Sequence, residues 1–350
     1  MSKYESEVLM FSFFKEKKMK KELETVNLEK QFDFQISEAY QIDAKTNSHY
    51  AINSYVFTAH SYEKRQSMYF MLTITPEQTN AMIYYSEGFN KYTLDQQIYT
   101  TNCPLKINKE DDKWNIVFNG YLKKNNKDNA KFTFSAKFES INEAVEKSSN
   151  IKTNNLFNAF KGQKNYQDKI KQLQEDKNIS YDQLGKLKGR LILEGQNVII
   201  DVSCVKIHTY GNYDYSLINN HMNLILADKE SQLDIHIVSE PNMSLLETGN
   251  YRKMNGNINY INFLKYERQL LTKGIAPANL NVLIGLDNEK EVSIHIKNVD
   301  IFEYELQEQY DIVISIVEVL MEGKKYRGIM ECGFNKDKQK WFNGNDLSAL

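Results

Sequence analysis

Alternation of apolar and polar residues with a period of two runs through most of this chain. It is the feature that most narrows the fold. Successive side chains of a β-strand point to opposite faces, so such a pattern marks a strand with one face buried. Trp114, Ile116 and Phe118 share one parity, as do Phe132, Phe134, Ala136 and Phe138. Leu233, Ile235 and Ile237 repeat the pattern, followed by Val292, Ile294, Ile296 and by Ile312, Ile314, Ile316. Turn-forming stretches separate these runs: KKNNKDN, LEGQN, ADKES, LDNEKE and MEGKK. That order predicts antiparallel hairpins in succession. Only four prolines interrupt 350 residues, so the strands can be long.

One segment departs from this rhythm. Between 140 and 177 the chain is polar, with Leu156, Phe157, Phe160, Ile170 and Leu173 at helical spacing. Two short amphipathic helices around Gly162 are expected. They divide the chain into an N-terminal β unit (1–145), a helical linker (146–180) and a C-terminal β unit (181–350). The fold class is mainly β: two antiparallel barrels or curved sheets, a form that hides strand edges and encloses small ligands. The run from Lys15 to Glu24 reads as a further, solvated helix.

Bulk properties exclude several classes. Lysine and arginine number 44 against 46 acidic residues, so nothing overall favours nucleic acid. Three distant cysteines without a C-x-x-C support neither a zinc site nor a disulfide framework; a reduced compartment fits. No apolar run approaches a membrane span, and Val8–Phe14 follows Glu5 and Glu7 where a secretory leader needs basic residues, so a cytoplasmic location is expected. Phosphate-binding glycine loops, the G-x-S-x-G elbow and HExxH are absent. No cofactor or metal is expected.

The stretch CVKIHTYGNYDYSLINNH, Cys204–His221, is the densest in chemistry-bearing side chains. By parity Cys204, Lys206, His208 and Tyr210 share one face, and Ile207 and Thr209 take the other. Together with YDQLG at Tyr181–Gly185, it resembles the second half of a two-domain lipocalin-like superfamily. That superfamily includes carotenoid 1,2-hydratases, lipocalin-like Diels–Alderases and the lipocalin-like region of phosphoenolpyruvate-synthase-like proteins. The resemblance spans roughly Lys113 to Phe342. An Arg-Asp-His-Ser-aromatic-Gly signature of those proteins corresponds to Lys206, Ile207, His208, Thr209, Tyr210 and Gly211. A following Arg-acid-Trp element corresponds to Tyr213, Asp214 and Tyr215. Here the signature acid is replaced by Ile207.

The resemblance implies a double barrel, with the face bearing Lys206, His208 and Tyr210 turned inward. Binding of a small hydrophobic molecule (an isoprenoid, polyketide or lipid) near the interface of the halves is the leading expectation. Lys206, His208, Tyr210, Tyr213, Tyr215 and Trp114 are its candidate contacts. One alternative is a hydratase, cyclase or isomerase without metal or nucleotide, in which His208 and Asp214 act as acid and base. The plainer reading is that those two residues satisfy hydrogen bonds at a barrel mouth, with Asp214 in a Gly-Asn turn. A second alternative is a scaffold that binds a protein partner. His236 and His295 each lie opposite an apolar face, which suits exposure or a cross-strand polar pair. Nothing in the spacing makes them converge with His208 on a metal.

Overall fold

The computed structural model describes residues 14–30, 32–41, 50–253, 257–267, 276–307 and 309–336. The first β unit comprises β1 (Ala51–Ser61), β2 (Gln66–Ile74), β3 (Thr79–Glu87), β4 (Asn90–Tyr99), β5 (Leu105–Glu110), β6 (Lys113–Lys124), β7 (Asp128–Ser140), β8 (Val145–Glu146), β9 (Ile179–Leu193) and β10 (Gln196–Asn212). Eight of these form a barrel in the order β10-β1-β2-β3-β4-β6-β7-β9, closed by the β9–β10 hairpin. β5 adds to β6 and β8 to β9. The second barrel is a simple meander of β11 (Asn220–Ala227), β12 (Ser231–Glu240), β13 (Met243–Lys253), β14 (Ile258–Tyr266), β15 (Asn279–Leu286), β16 (Glu291–Gln307), β17 (Tyr310–Met321) and β18 (Lys324–Asn335), closed by β11 against β18.

The two-residue loops are made by local chemistry. Glu194 and Gly195 have φ of 49° and 82°, and Glu322 and Gly323 have 50° and 78°. Left-handed backbone at both positions is what a turn matched to strand twist requires. The alternating sets expected at Trp114–Phe118 and Phe132–Phe138 fill the first lumen. In β17 the two parities divide differently. Val313, Val317 and Val319 face the second lumen. Ile312, Ile314 and Ile316 face outward and pack with Tyr69, Met71, Met82, Tyr84, Leu184 and Val205 of the first barrel. This sheet-on-sheet contact joins the barrels. A buried ion pair crosses it: Arg252 on β13 binds Asp182 on β9, and Gln232 Nε2 donates to the same carboxylate at 2.8 Å.

The helical linker is present as α3 (Thr153–Phe160) and α4 (Tyr166–Glu175), following α1 (14–23) and α2 (Phe34–Glu38). Two expectations need correction. The helix over 14–23 is not wholly solvated: Met19 and Leu23 are buried with Leu156, Phe160 and Ile170, and with Met243 and Leu246 of the second barrel. The second unit does not begin at 181, because 179–212 pair into the first sheet. After β8 the chain lays α3 on the second barrel, returns for β9 and β10, then leaves again for β11. Strand periodicity identifies β9 and β10 but carries no information about which distant strands they join.

Candidate functional site

Between the barrels lies a cavity of about 270 Å³. Its first wall is the outer face of β1, β2 and β10, with Ser54, Val56, Met71, Thr73, Ile207 and Thr209. These are the residues of opposite parity to the lumen set, which is why an apolar-polar strand can serve a core and a cavity together. The second wall is the outer face of β11, β12 and β18: His221, Asn223, Ile225, His236, Val238, Ile329 and Glu331. Tyr213 and Tyr215 from the β10–β11 connection close one side, and Lys147, just after β8, contributes an amine.

The polar groups concentrate on the second-barrel wall and are wired together. The Glu331 carboxylate accepts from His221 Nε2 at 2.9 Å and from Asn223 Nδ2 at 3.1 Å. The other nitrogen of His221 meets the Tyr310 hydroxyl at 2.7 Å. Gly333 makes this arrangement possible, since a Cβ there would lie 2.3 Å from the His221 ring and 2.5 Å from that of Tyr310. Burial pushes the Glu331 pKa up, but the His221 hydrogen bond, with nearby positive charge, leaves it below the usual carboxylate range.

Asn223 then fixes a proton on His236. With its amide nitrogen on Glu331, its carbonyl oxygen faces His236 Nδ1 at 2.5 Å, so that nitrogen carries hydrogen. His236 Nε2 lies 2.9 Å from Asp234 Oδ2. Burial pushes the Asp234 pKa up, but His236 and Lys147 outweigh it and hold the carboxyl below its ordinary value. The ionised Asp234 favours a second hydrogen, on Nε2, but burial outweighs that pull and draws the His236 pKa below its ordinary value, so a proton taken up there is readily given up. Lys147 is half-buried, and among the described residues its amine has no hydrogen-bond or ion-pair partner. Burial lowers its pKa, opposed by the charges of Asp234, Glu331 and Glu146.

The candidates from the sequence fall in two places. Tyr213 and Tyr215 line the cavity. Lys206, His208, Tyr210 and Trp114 lie within the first barrel, where α2 plugs the lumen. The Glu38 carboxylate binds Lys206 Nζ and Tyr181 Oη, and accepts from Trp114 Nε1 at 2.8 Å; Lys109 Nζ lies 3.4 Å away. His208 bridges Tyr181 Oη at 2.8 Å and Asn53 Oδ1 at 2.7 Å, and its ring stacks on Tyr55. Tyr210 bonds Ser37 Oγ at 2.8 Å and stacks on Tyr40. The polar face therefore points inward, into a filled lumen.

His208 and Asp214 are not brought together. Asp214 caps the short turn at Tyr215–Leu217 by accepting from Ser216 N at 2.9 Å. His236 forms a cross-strand pair with Asn223, whereas His295 is exposed and bonds Asn281 at 2.7 Å. Sequence reasoning missed His221, Asn223, Glu331 and Lys147. The first three were detectable only as polar residues of one parity beside Met222, Leu224, Met330 and Cys332, whose side chains fill the second lumen. Among the described residues no group of His, Cys, Asp and Glu suits a metal ion, and no helix is long and apolar enough to cross a membrane.

No protein-family model and no curated protein sequence matches the chain. Solved structures do. Kievitone hydratase from Nectria haematococca superposes with a TM-score of 0.53 at 11% identity, covering 90% of this chain and 96% of its own. An AttH candidate from Nitrosomonas europaea gives 0.50 at 11% identity, covering 85% and 97%. At this identity the likeness shows the fold, and that fold is the double barrel implied by the lipocalin-like resemblance.

Proposed function

We propose that the protein binds a small, largely apolar molecule in the cavity between its barrels. One observation carries the reading. The cavity joins apolar side chains of both barrels, with Ser and Thr hydroxyls that bond one another, to one cluster of titratable groups, the usual composition of a small-molecule site. The ligand would lay its hydrocarbon part along Val56, Met71, Ile207 and Ile329 and direct one polar group toward His236 and Glu331. Native mass spectrometry of gently purified protein tests this. A co-purifying mass should appear in the wild type and vanish in Ile207→Trp, which fills the cavity while leaving the first lumen untouched. An empty wild type that also ignores a panel of apolar ligands would sink the idea.

The Asp234–His236 pair favours a second reading, an acid–base enzyme. A proton that His236 takes up and readily gives up beside an apolar cavity suits protonation of a double bond or a leaving hydroxyl, and the Glu331–His221–Tyr310 chain on the same wall offers a base or relay. Hydration, dehydration or cyclisation needs no more than this. The kinship in fold with a hydratase supports the reading without carrying it. The acid role moves from the sequence candidates His208 and Asp214 to His236 with Asp234. His236→Gln should abolish turnover of a bound substrate while its binding persists.

A further inference from the structure

We propose that the ligand of the inter-barrel cavity is a neutral aldehyde or ketone and that Lys147 captures it as an imine. The inference rests on the reading of that cavity as the binding site. Lys147 is a primary amine on the cavity surface, and among the described residues nothing pairs with it. The other titratable groups on that wall are Glu331, His221 and His236, all partnered, with Asp234 behind His236 and outside the lining. An anionic ligand would meet the Glu331 carboxylate, held in its ionised form. A neutral electrophile meets no such repulsion. Desolvation lowers the pKa of Lys147 and enlarges its nucleophilic, uncharged fraction.

The surrounding groups match the steps of imine formation. The uncharged nitrogen adds to the carbonyl carbon, forming the C–N bond as the C=O π pair moves onto oxygen. The nitrogen gives up one proton to the Glu331 carboxylate, which passes it to that oxygen. The resulting hydroxyl takes a second proton from His236 and leaves as water, while the nitrogen lone pair closes the C=N bond as an iminium. The remaining N–H proton returns to His236, so amine and carbonyl become imine and water, with no oxidant or reductant consumed. The iminium form withdraws electrons from the ligand, easing loss or addition of water at its β carbon. This links the amine to the hydratase reading.

The test uses the full-length wild type. Hexanal with sodium cyanoborohydride traps imines irreversibly, and peptide mapping reports the labelling rate at each lysine. Lys147 should label at least tenfold faster than the mean of the exposed lysines, and Ile207→Trp should abolish that excess. Labelling of Lys147 at the common rate overturns the proposal. Binding of hexan-1-ol and hexanoate, followed by displacement of a polarity-sensitive dye, separates the two claims. If hexan-1-ol binds and Ile207→Trp blocks it, while Lys147 stays unlabelled, the imine fails and the cavity reading stands. If neither binds, the cavity reading fails. Preference for hexanoate without labelling overturns the imine in favour of an ion pair. Because labelling is read on the wild type, the outcome does not depend on a Lys147 variant folding.

Discussion

Replacing Glu38 by Gln should destabilise the first barrel in a way that depends on pH with a defined sign. Gln keeps an oxygen for Trp114 and Tyr181 but removes the charge facing Lys206, whose side chain is wholly buried. Leaving one buried charge unpaired costs about 3–5 kcal/mol. Lys206 can escape by losing its proton. Burial already lowers its pKa from 10.5 to about 8 against the opposing pull of Glu38, and without Glu38 it falls further.

Between this new folded pKa and the unfolded value, the unfolded chain binds one proton more, so stability rises with pH by up to about 1.4 kcal/mol per unit. In the wild type the same rise begins only near pH 8. The deficit of Glu38→Gln should therefore shrink by as much as about 3 kcal/mol from pH 6 to pH 8. Adding Lys206→Met removes the stranded charge, so the double variant should be more stable than Glu38→Gln at pH 6. Urea unfolding followed by Trp114 fluorescence, in a Trp341→Phe background, measures all four species. A deficit that is flat with pH, together with additive effects, would refute the reasoning.

Other perturbations probe the rest of the account. Gly333→Ala pushes a methyl against His221 and Tyr310; it should cost about 1–3 kcal/mol and weaken ligand binding, as read by thermal melting and dye displacement. Arg252→Met strands Asp182 between the barrels; a loss of about 3–5 kcal/mol should appear as faster hydrogen exchange in β9 and β13, and unchanged exchange there would contradict it. His60 is buried against Thr58 and Ser67 with Arg327 nearby, and burial draws its pKa down to about 3. The unfolded chain takes up its proton first as pH falls, so stability drops from about pH 6.5 toward 3. His60→Asn should flatten that acid limb in a pH series of urea titrations.

Strands, turns and helices were legible because each follows from local chemistry. Phe132, Phe134 and Phe138 reach the lumen by parity alone, and Glu194-Gly195 turns the chain by its own backbone preferences. What parity withholds is the identity of what each face meets. Ile312, Ile314 and Ile316 read like a lumen face and instead meet the other barrel, because β17 is apolar on both sides. The lumen orientation of Lys206 and His208 follows from the lipocalin-like resemblance, yet the buried partner of Lys206, Glu38, comes from a helix 168 residues earlier in the chain. The cavity cluster was invisible for the same reason. His221 and His236 sit on a hairpin, but Glu331 joins them only by closure of the second barrel and Lys147 from the segment after β8.

Methyl NMR of isoleucine-labelled protein, titrated with hexan-1-ol, places a ligand most directly. The cavity reading predicts shifts at Ile207, Ile218, Ile225 and Ile329, which line the space between the barrels, with Ile83 and Ile116 of the first lumen unmoved. Shifts at Ile83 and Ile116 with the cavity methyls silent would put the ligand inside a barrel and contradict the account.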